Sequence, residues 1–534
     1  VTRFRFWAPA CDDVGLDVEG RVTTMSAIMD GWFEAETEAP AGTHYRFRIG
    51  DRAVPDPASR LQDDGWSVVT DPNAFLWHDG AWRGRPWEET VIYELHAGLM
   101  GGFKGIESYL PRLAELGITA VELMPVAQFP GNRNWGYDGV LPYAPASAYG
   151  TPADLKRLVD CAHALGLMVF LDVVYNHFGP DGNFLPLYAP TFFRDDRHTP
   201  WGAGIDFSKI EVRRFFIDNA LAWVNEFHVD GLRLDAIHAI GDNGFVVDLA
   251  REVREAAPER HVHIMVENER NDAGLLRDTG IAQWNDDFHH AVHVLLTGEN
   301  EGYYGAYAEA VAQGLAKSLS GGFICERSGP GPRLPPISFV NFLQNHDHVG
   351  NRALGERLIS LADAHALRGA IALLLLCPSI PMIFFGEEAG AREPFLYFCD
   401  HADKALADAV REGRRNEFAK FRAFADPKTR TQIPDPNAPE TFERSRPRLA
   451  GGDEWRALYK DLLTLRRVHI IPRLRGAMAQ SAEATGPKAV RASWRMGDGA
   501  RLTIHFDLED KDEVPPPVPP IWDRDGTQCW IEMP

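Results

Sequence analysis

Residues 152–177, PADLKRLVDCAHALGLMVFLDVVYNH, decide the fold. Through Leu165 the apolar positions recur at helical spacing, and from Leu167 they merge into the apolar run LMVFLDVV, which suits a strand buried on both faces. Long amphipathic helices alternating with such strands force a parallel sheet covered by helices. The run ends on a polar cluster, DVVYNH, from Asp172 to His177.

Working outward, the alternation begins at Val91 and gives eight apolar runs: VIYELHA at 91, ITAVELM at 118, LMVFLDVV at 167, DGLRLDA at 230, VHIMVE at 262, IAQW at 281, ISFVNFLQN at 337 and IPMIFF at 380. Between them lie helical stretches such as Ile210–Phe227 and Arg357–Cys377, each with an apolar stripe. Eight βα units closing on themselves make a TIM (β/α)8 barrel, so the expected class is α/β. Residues 1–85 read as an amino-terminal β-sandwich, from short alternating runs bounded by Gly, Pro and Asp. The barrel with its insertions is expected over 86–450, and a small β-domain over 451–534, where VPPPVPP is a stiff extended connection. The stretch Gly369–Gly386 is apolar enough to suggest a membrane span, but Pro378 and Pro381 split it into a buried helix, Ala366–Cys377, and a buried strand, Ile380–Phe385.

The totals narrow the function classes. A formal charge of -21, from 55 Lys+Arg against 76 Asp+Glu with no local basic stripe, argues against nucleic acid as a partner. The six cysteines are scattered without CxxC spacing, several of them in apolar runs, which fits a reducing, cytoplasmic setting. The first residues, VTRFRFWAPA, alternate like a strand and show no basic region followed by an apolar signal core. Val1 stands so close to that strand that the natural chain is expected to begin earlier.

Chemistry in a TIM barrel sits at the carboxyl ends of the strands. Four polar clusters fall there: Asp172–His177, Arg233–His238 (RLDAIH), Glu267, and His346-Asp347. One aspartate ending a strand is more often a cap or turn former than a catalyst. Several carboxylates, an arginine and two histidines at strand ends of one barrel are a different matter, and acetal hydrolysis needs such a set. One carboxylic acid protonates the leaving oxygen and one carboxylate captures the positive sugar carbon. Strand parity turns Arg233 and Asp235 to the same side, so the guanidinium favours an ionised Asp235, a nucleophile. Glu267 is expected as the acid because it directly ends an apolar strand, whereas Glu269 lies in the polar stretch that follows. No cofactor is expected, and with no oxygen-rich loop of calcium-site character, no metal either.

DVVYNH, GLRLDAIH, VEN and NHD, in this order and spacing, resemble the four signature regions of the α-amylase superfamily. The resemblance implies Asp235 as nucleophile, Glu267 as acid/base and Asp347 as transition-state stabiliser. It also implies that His177, Arg233 and His346 bind the sugar, that Tyr137 stacks on it, and that Asp172 is structural. TPWGAGIDF, WNDDFHHAVHVLLTGE, EPFLYFCDH, REGRRNEF and PDPNAPETFERS resemble the maltooligosyltrehalose trehalohydrolase family over nearly the whole chain. That implies hydrolysis of the α-1,4 bond next to the trehalosyl end of maltooligosyltrehalose, a related α-glucan being the wider substrate class. Trp201, in the loop after the third strand, is a candidate platform for the trehalose half. A 1,4-α-glucan branching enzyme shares the signature regions and is the nearest alternative; a catalytically dead glucan-binding protein would have lost one of the three acids.

Overall fold

The computed structural model describes residues 1–199, 202–325, 333–509 and 515–534, and all eight expected runs are strands in it. They are β1 (Ile92–Leu95), β2 (Ala120–Leu123), β3 (Met168–Val173), β4 (Gly231–Leu234), β5 (His263–Val266), β6 (Ile281–Trp284), β7 (Phe339–Phe342) and β8 (Ile380–Phe384). Hydrogen bonding runs in chain order and closes the barrel. Apart from His263, every residue in these strands is buried, which is why the sequence shows continuous apolar runs rather than alternation. The short run IAQW is a true barrel strand, with Ile281 opposite Ile264 of β5 and Gln283 opposite Phe339 of β7.

The chain divides into two compact units, and the division runs through the barrel sequence. The first comprises Val1–Gly84, His96–Tyr109 and Leu123–Val262, and so holds β3 and β4. Its amino-terminal part is two antiparallel sheets, one built on Thr2–Trp7 and Trp32–Thr37, the other on Gly15–Val18 and His44–Ile49. Phe6 stacks on Phe47 at 4.1 Å and Phe4 meets Tyr45 edge-on at 4.8 Å, so aromatic rings from the two sheets face each other. The second unit ends in a five-stranded antiparallel sheet ordered Met478–Gly486, Ala489–Arg495, Arg501–Asp507, Thr527–Glu532, Trp522–Arg524.

Helix α1 (Pro152–Ala164) starts on a reciprocal cap: the Thr151 hydroxyl accepts from the Asp154 amide, and the Asp154 carboxylate accepts from the Thr151 amide. The helix expected from Arg357 to Cys377 is shorter, α2 (Ala364–Leu376), behind a separate turn at Leu358–Leu361. Two side chains cause the break. Asp363 accepts from the amides of His365 and Ala366 and so begins a new helix, while the buried Arg357 guanidinium donates to the carbonyls of Phe385 and Glu393. At the other end of α2, Arg466 is fully buried and donates to the carbonyls of Leu375, Cys377 and Ser379, groups that lack helical partners there. Among the described residues no helix is long and apolar enough to cross a membrane.

In the first unit the amino end of β4 hangs on Asp230. This fully buried carboxylate accepts from the Val169 amide, His163 Nε2, Trp82 Nε1 and Arg260. The other nitrogen of His163 meets Asp79 at 2.9 Å, so the ring lies between two carboxylates. Burial alone would lower the His163 pKa, but Asp230 and Asp79 together raise it above its ordinary value. Asp79 and Asp230 are correspondingly lowered, against the opposing effect of burial, by hydrogen bonds and charge from the histidines and Arg260.

A raised histidine contributes stability in full below its unfolded pKa of about 6.5 and loses it as pH rises through the folded value; the two lowered carboxylates lose theirs only in acid. His163→Gln should therefore lower the melting temperature by roughly 3 °C near pH 6 and by clearly less at pH 9. A pH-independent difference in the melting curves would show that no imidazolium is bound there.

Candidate active site

In the parallel pair of β3 and β4, Asp172 stands opposite Arg233, and Asp235 follows the end of β4 with its amide donating to Val173 O at 3.1 Å. The Arg233 guanidinium is fully buried, and its Nη1 donates to Asp172 Oδ2 at 2.6 Å, to Asp235 Oδ1 at 2.8 Å and to the Tyr137 hydroxyl at 3.3 Å. Tyr137 in turn donates to Asp172 Oδ2 at 2.5 Å. One buried cation thus fixes two carboxylates and a phenol, and charge-assisted bonds of this kind are the stronger class. Asp172 thus holds Arg233 and Tyr137 through one oxygen.

The second oxygen of Asp235 is held as well, since Asn176 Nδ2 donates to Asp235 Oδ2 at 2.7 Å and to its carbonyl at 2.9 Å. Asn176 lies inside the DVVYNH cluster but had no role in the sequence reading; its place one residue before His177 was the available signal. His177 is buried, with Nε2 3.0 Å from Tyr137 O and Nδ1 against Asn176 Oδ1, so both ring nitrogens face protein oxygens. Burial draws its imidazole below the ordinary pKa, against the pull of the Asp235 charge. Directly after Asp235 the chain turns through Ala236 at φ 41°, ψ 53°, a left-handed backbone that costs a non-glycine residue about 1 kcal/mol or more.

The second unit carries the other candidates. Glu267 directly follows β5 and is half-buried, and Glu269 is exposed in the turn beyond it. Asn268, between them, is buried, and its carbonyl accepts from Gln283 of β6 at 3.1 Å. After β7, Asn345 caps the short helix His346–Gly350 by accepting from the His348 amide. His346 is buried, with Nδ1 2.5 Å from Glu94 Oε1 and Nε2 3.4 Å from Asp347 Oδ1. Asp347 is partly exposed and accepts from Asn351 Nδ2 at 3.3 Å. Trp201 lies outside the described residues.

Among the described residues one group has the chemistry of a metal site: ring nitrogens of His289, His290 and His348 lie within 4.8 Å of one another. Burial keeps all three imidazoles below the ordinary histidine pKa, His290 and His348 down to about 3, so their lone pairs are available. The geometry does not make them converge. The His289 and His348 rings stack at 3.8 Å and 9°, and lone pairs lying in two parallel planes cannot both aim at one ion. His348 Nε2 instead meets Asp286 at 3.1 Å, and His289 Nδ1 meets Leu343 O at 2.5 Å, which ties the helix Asp286–Thr297 to the segment carrying His346 and Asp347.

The alpha amylase catalytic-domain model matches residues 62–185. Malto-oligosyltrehalose trehalohydrolase from Deinococcus radiodurans is 42% identical over 87% of this chain and 81% of its own length. The enzyme of the same name from Saccharolobus solfataricus is 39% identical over 87% of this chain and 85% of its own. The chain belongs to this family. A crystal structure of a Salmonella typhimurium protein assigned to the alpha amylases superposes with a TM-score of 0.91 at 42% identity, covering 99% of this chain and 97% of that one. Family membership makes the chain a glycoside hydrolase of the α-amylase type, acting on α-glucans.

Because one Nη1 serves three acceptors, Arg233→Lys should be damaging although it keeps the charge. An ammonium on a flexible stem cannot reproduce the planar fork, and kcat for α-glucan hydrolysis should fall about 10²-fold with KM little altered. Unchanged kcat in steady-state assays of the folded variant would remove the clamp from the reaction.

Proposed function

We propose that the chain hydrolyses the α-1,4-glucosidic bond next to the trehalosyl end of maltooligosyltrehalose, with retention of configuration, and releases trehalose. The substrate follows from the two trehalohydrolase relatives, which match over more than four-fifths of their own lengths. The chemistry rests on one observation: Asp235 is held through both oxygens, by a buried guanidinium on one side and an amide on the other. A carboxylate so held is anionic, immobile and aimed, which is what a nucleophile requires.

In this reading Glu267 protonates the glycosidic oxygen as trehalose leaves, while Asp235 attacks the anomeric carbon of the maltooligosyl part and forms a covalent ester. Glu267, now ionised, takes a proton from water, which displaces Asp235 and restores the starting α configuration. Asp347 and His346 stabilise the oxocarbenium-like transition states, and Tyr137 lies against the sugar at the cleaved bond. What supports these roles is that Asp235, Glu267 and Asp347 each follow a barrel strand, the end at which barrel enzymes carry their catalysts. We place the enzyme in the cytoplasm, since a reducing compartment suits six cysteines that form no disulfide among the described residues.

Maltotriosyltrehalose is the deciding substrate. The expected products are trehalose and maltotriose, the maltotriose appearing first as its α anomer by proton NMR, and Glu267→Gln should reduce the rate about 10³-fold. Glucan products with new α-1,6 branches would assign the chain to transfer instead, and an initial β anomer would refute retention. Trp201→Ala should reduce selection of trehalosyl over plain maltooligosaccharide ends by about 10-fold in kcat/KM. Equal selectivity in a competition assay would return that indole to a packing role.

A further inference from the structure

Glu94, on β1, is a carboxylate 1% exposed in the interior of the protein. Such a group is costly to bury unless charge and hydrogen bonds compensate it. Both its oxygens turn to one residue: Oε1 meets His346 Nδ1 at 2.5 Å, and Oε2 accepts from the His346 main-chain amide at 3.1 Å. The two residues are 252 positions apart in the chain, so the contact exists only because the barrel sets β1 near the end of β7. A carboxylate can only accept, so the proton of this bond sits on Nδ1. With Nδ1 fixed and the Trp284 ring 5.9 Å away on one flank, Nε2 faces Asp347 Oδ1 at 3.4 Å.

We propose that Glu94 is a positioning residue for the hydrolysis: it holds the proton of His346 on Nδ1 and aims Nε2 at Asp347 and at the sugar hydroxyls bound beside it. This inference rests on the reading of His346 and Asp347 as transition-state stabilisers. The imidazole stands between two carboxylates, Glu94 and Asp347, with His348 the next ring along the chain. With Nδ1 taken up by Glu94, Nε2 is the ring atom left to face Asp347 and a substrate oxygen. Such an outer partner sets the tautomer of a histidine and holds it ready before substrate arrives.

Glu94→Gln separates this role from simple packing, because it preserves shape while leaving one acceptor where the glutamate had two. The main-chain amide of His346 can only donate and so takes the amide oxygen. The glutamine NH2 then faces Nδ1, and since it can only donate, it drives the ring proton to Nε2 alone and removes the charge. In wild-type protein carrying 15N-labelled histidine, a downfield Nδ1 proton is expected that disappears in His346→Gln, which assigns it. In Glu94→Gln that resonance should be lost and kcat on maltotriosyltrehalose should fall about 10²-fold, with KM changed less than about 3-fold. A wild-type His346 protonated only at Nε2 would overturn the proposal, even where the variant is too unstable to assay, and so would a folded Glu94→Gln with wild-type kcat. The NMR signature needs no substrate, and the rate is scored as release of any sugar. A mistaken assignment of trehalose as product would therefore leave this test intact.

Discussion

A guanidinium cannot shed its charge, and Arg233 is wholly buried, so the protein around it must supply anions at fixed places. It does so with Asp172, directly opposite in the β3–β4 register, and with Asp235, two residues further along the same strand direction. The remaining order in that part of the site follows. Tyr137 is fixed by the same Asp172 oxygen, His177 lies against the Tyr137 carbonyl, and Asn176 closes the other side of Asp235. Removing the cation would leave two carboxylates close together and desolvated, which is why its effect extends beyond one hydrogen bond.

The second unit buries a carboxylate as well and satisfies it by hydrogen bonds. There Glu94 turns both oxygens to His346, one to its imidazole and one to its main-chain amide. On the Asp286–Thr297 helix, His289 and His290 are pushed toward the neutral form by burial and by neighbouring histidines, and the His289 ring stacks on that of His348.

The barrel was legible because burial on both faces leaves an unmistakable composition. The four-residue run IAQW carries the weakest pattern of the eight, and it is chiefly its place in the count that marks it as a strand. The helix expected from Arg357 was misjudged because helical periodicity continues through the turn at Leu358–Leu361, while the interruption depends on Asp363 capping locally and Arg357 bonding to carbonyls 28 and 36 residues away. Asn176 has no signal beyond its place beside His177, and Glu94, a lone acid within an apolar run, looks like an exception rather than a partner.

The sequence alone determined the number and order of the strands, the sandwich-like start, the strand-rich end and the clusters of acids and histidines that end the strands. These follow from periodicity and from residue chemistry, both of which are local. Only the tertiary structure decided which polar groups meet: Asn176 with Asp235, Glu94 with His346, and Asp230 with His163 and Trp82. Those pairings depend on strand register and on how distant segments pack, and hydrogen bonds act over about 3 Å, a scale that residue spacing along a chain cannot specify.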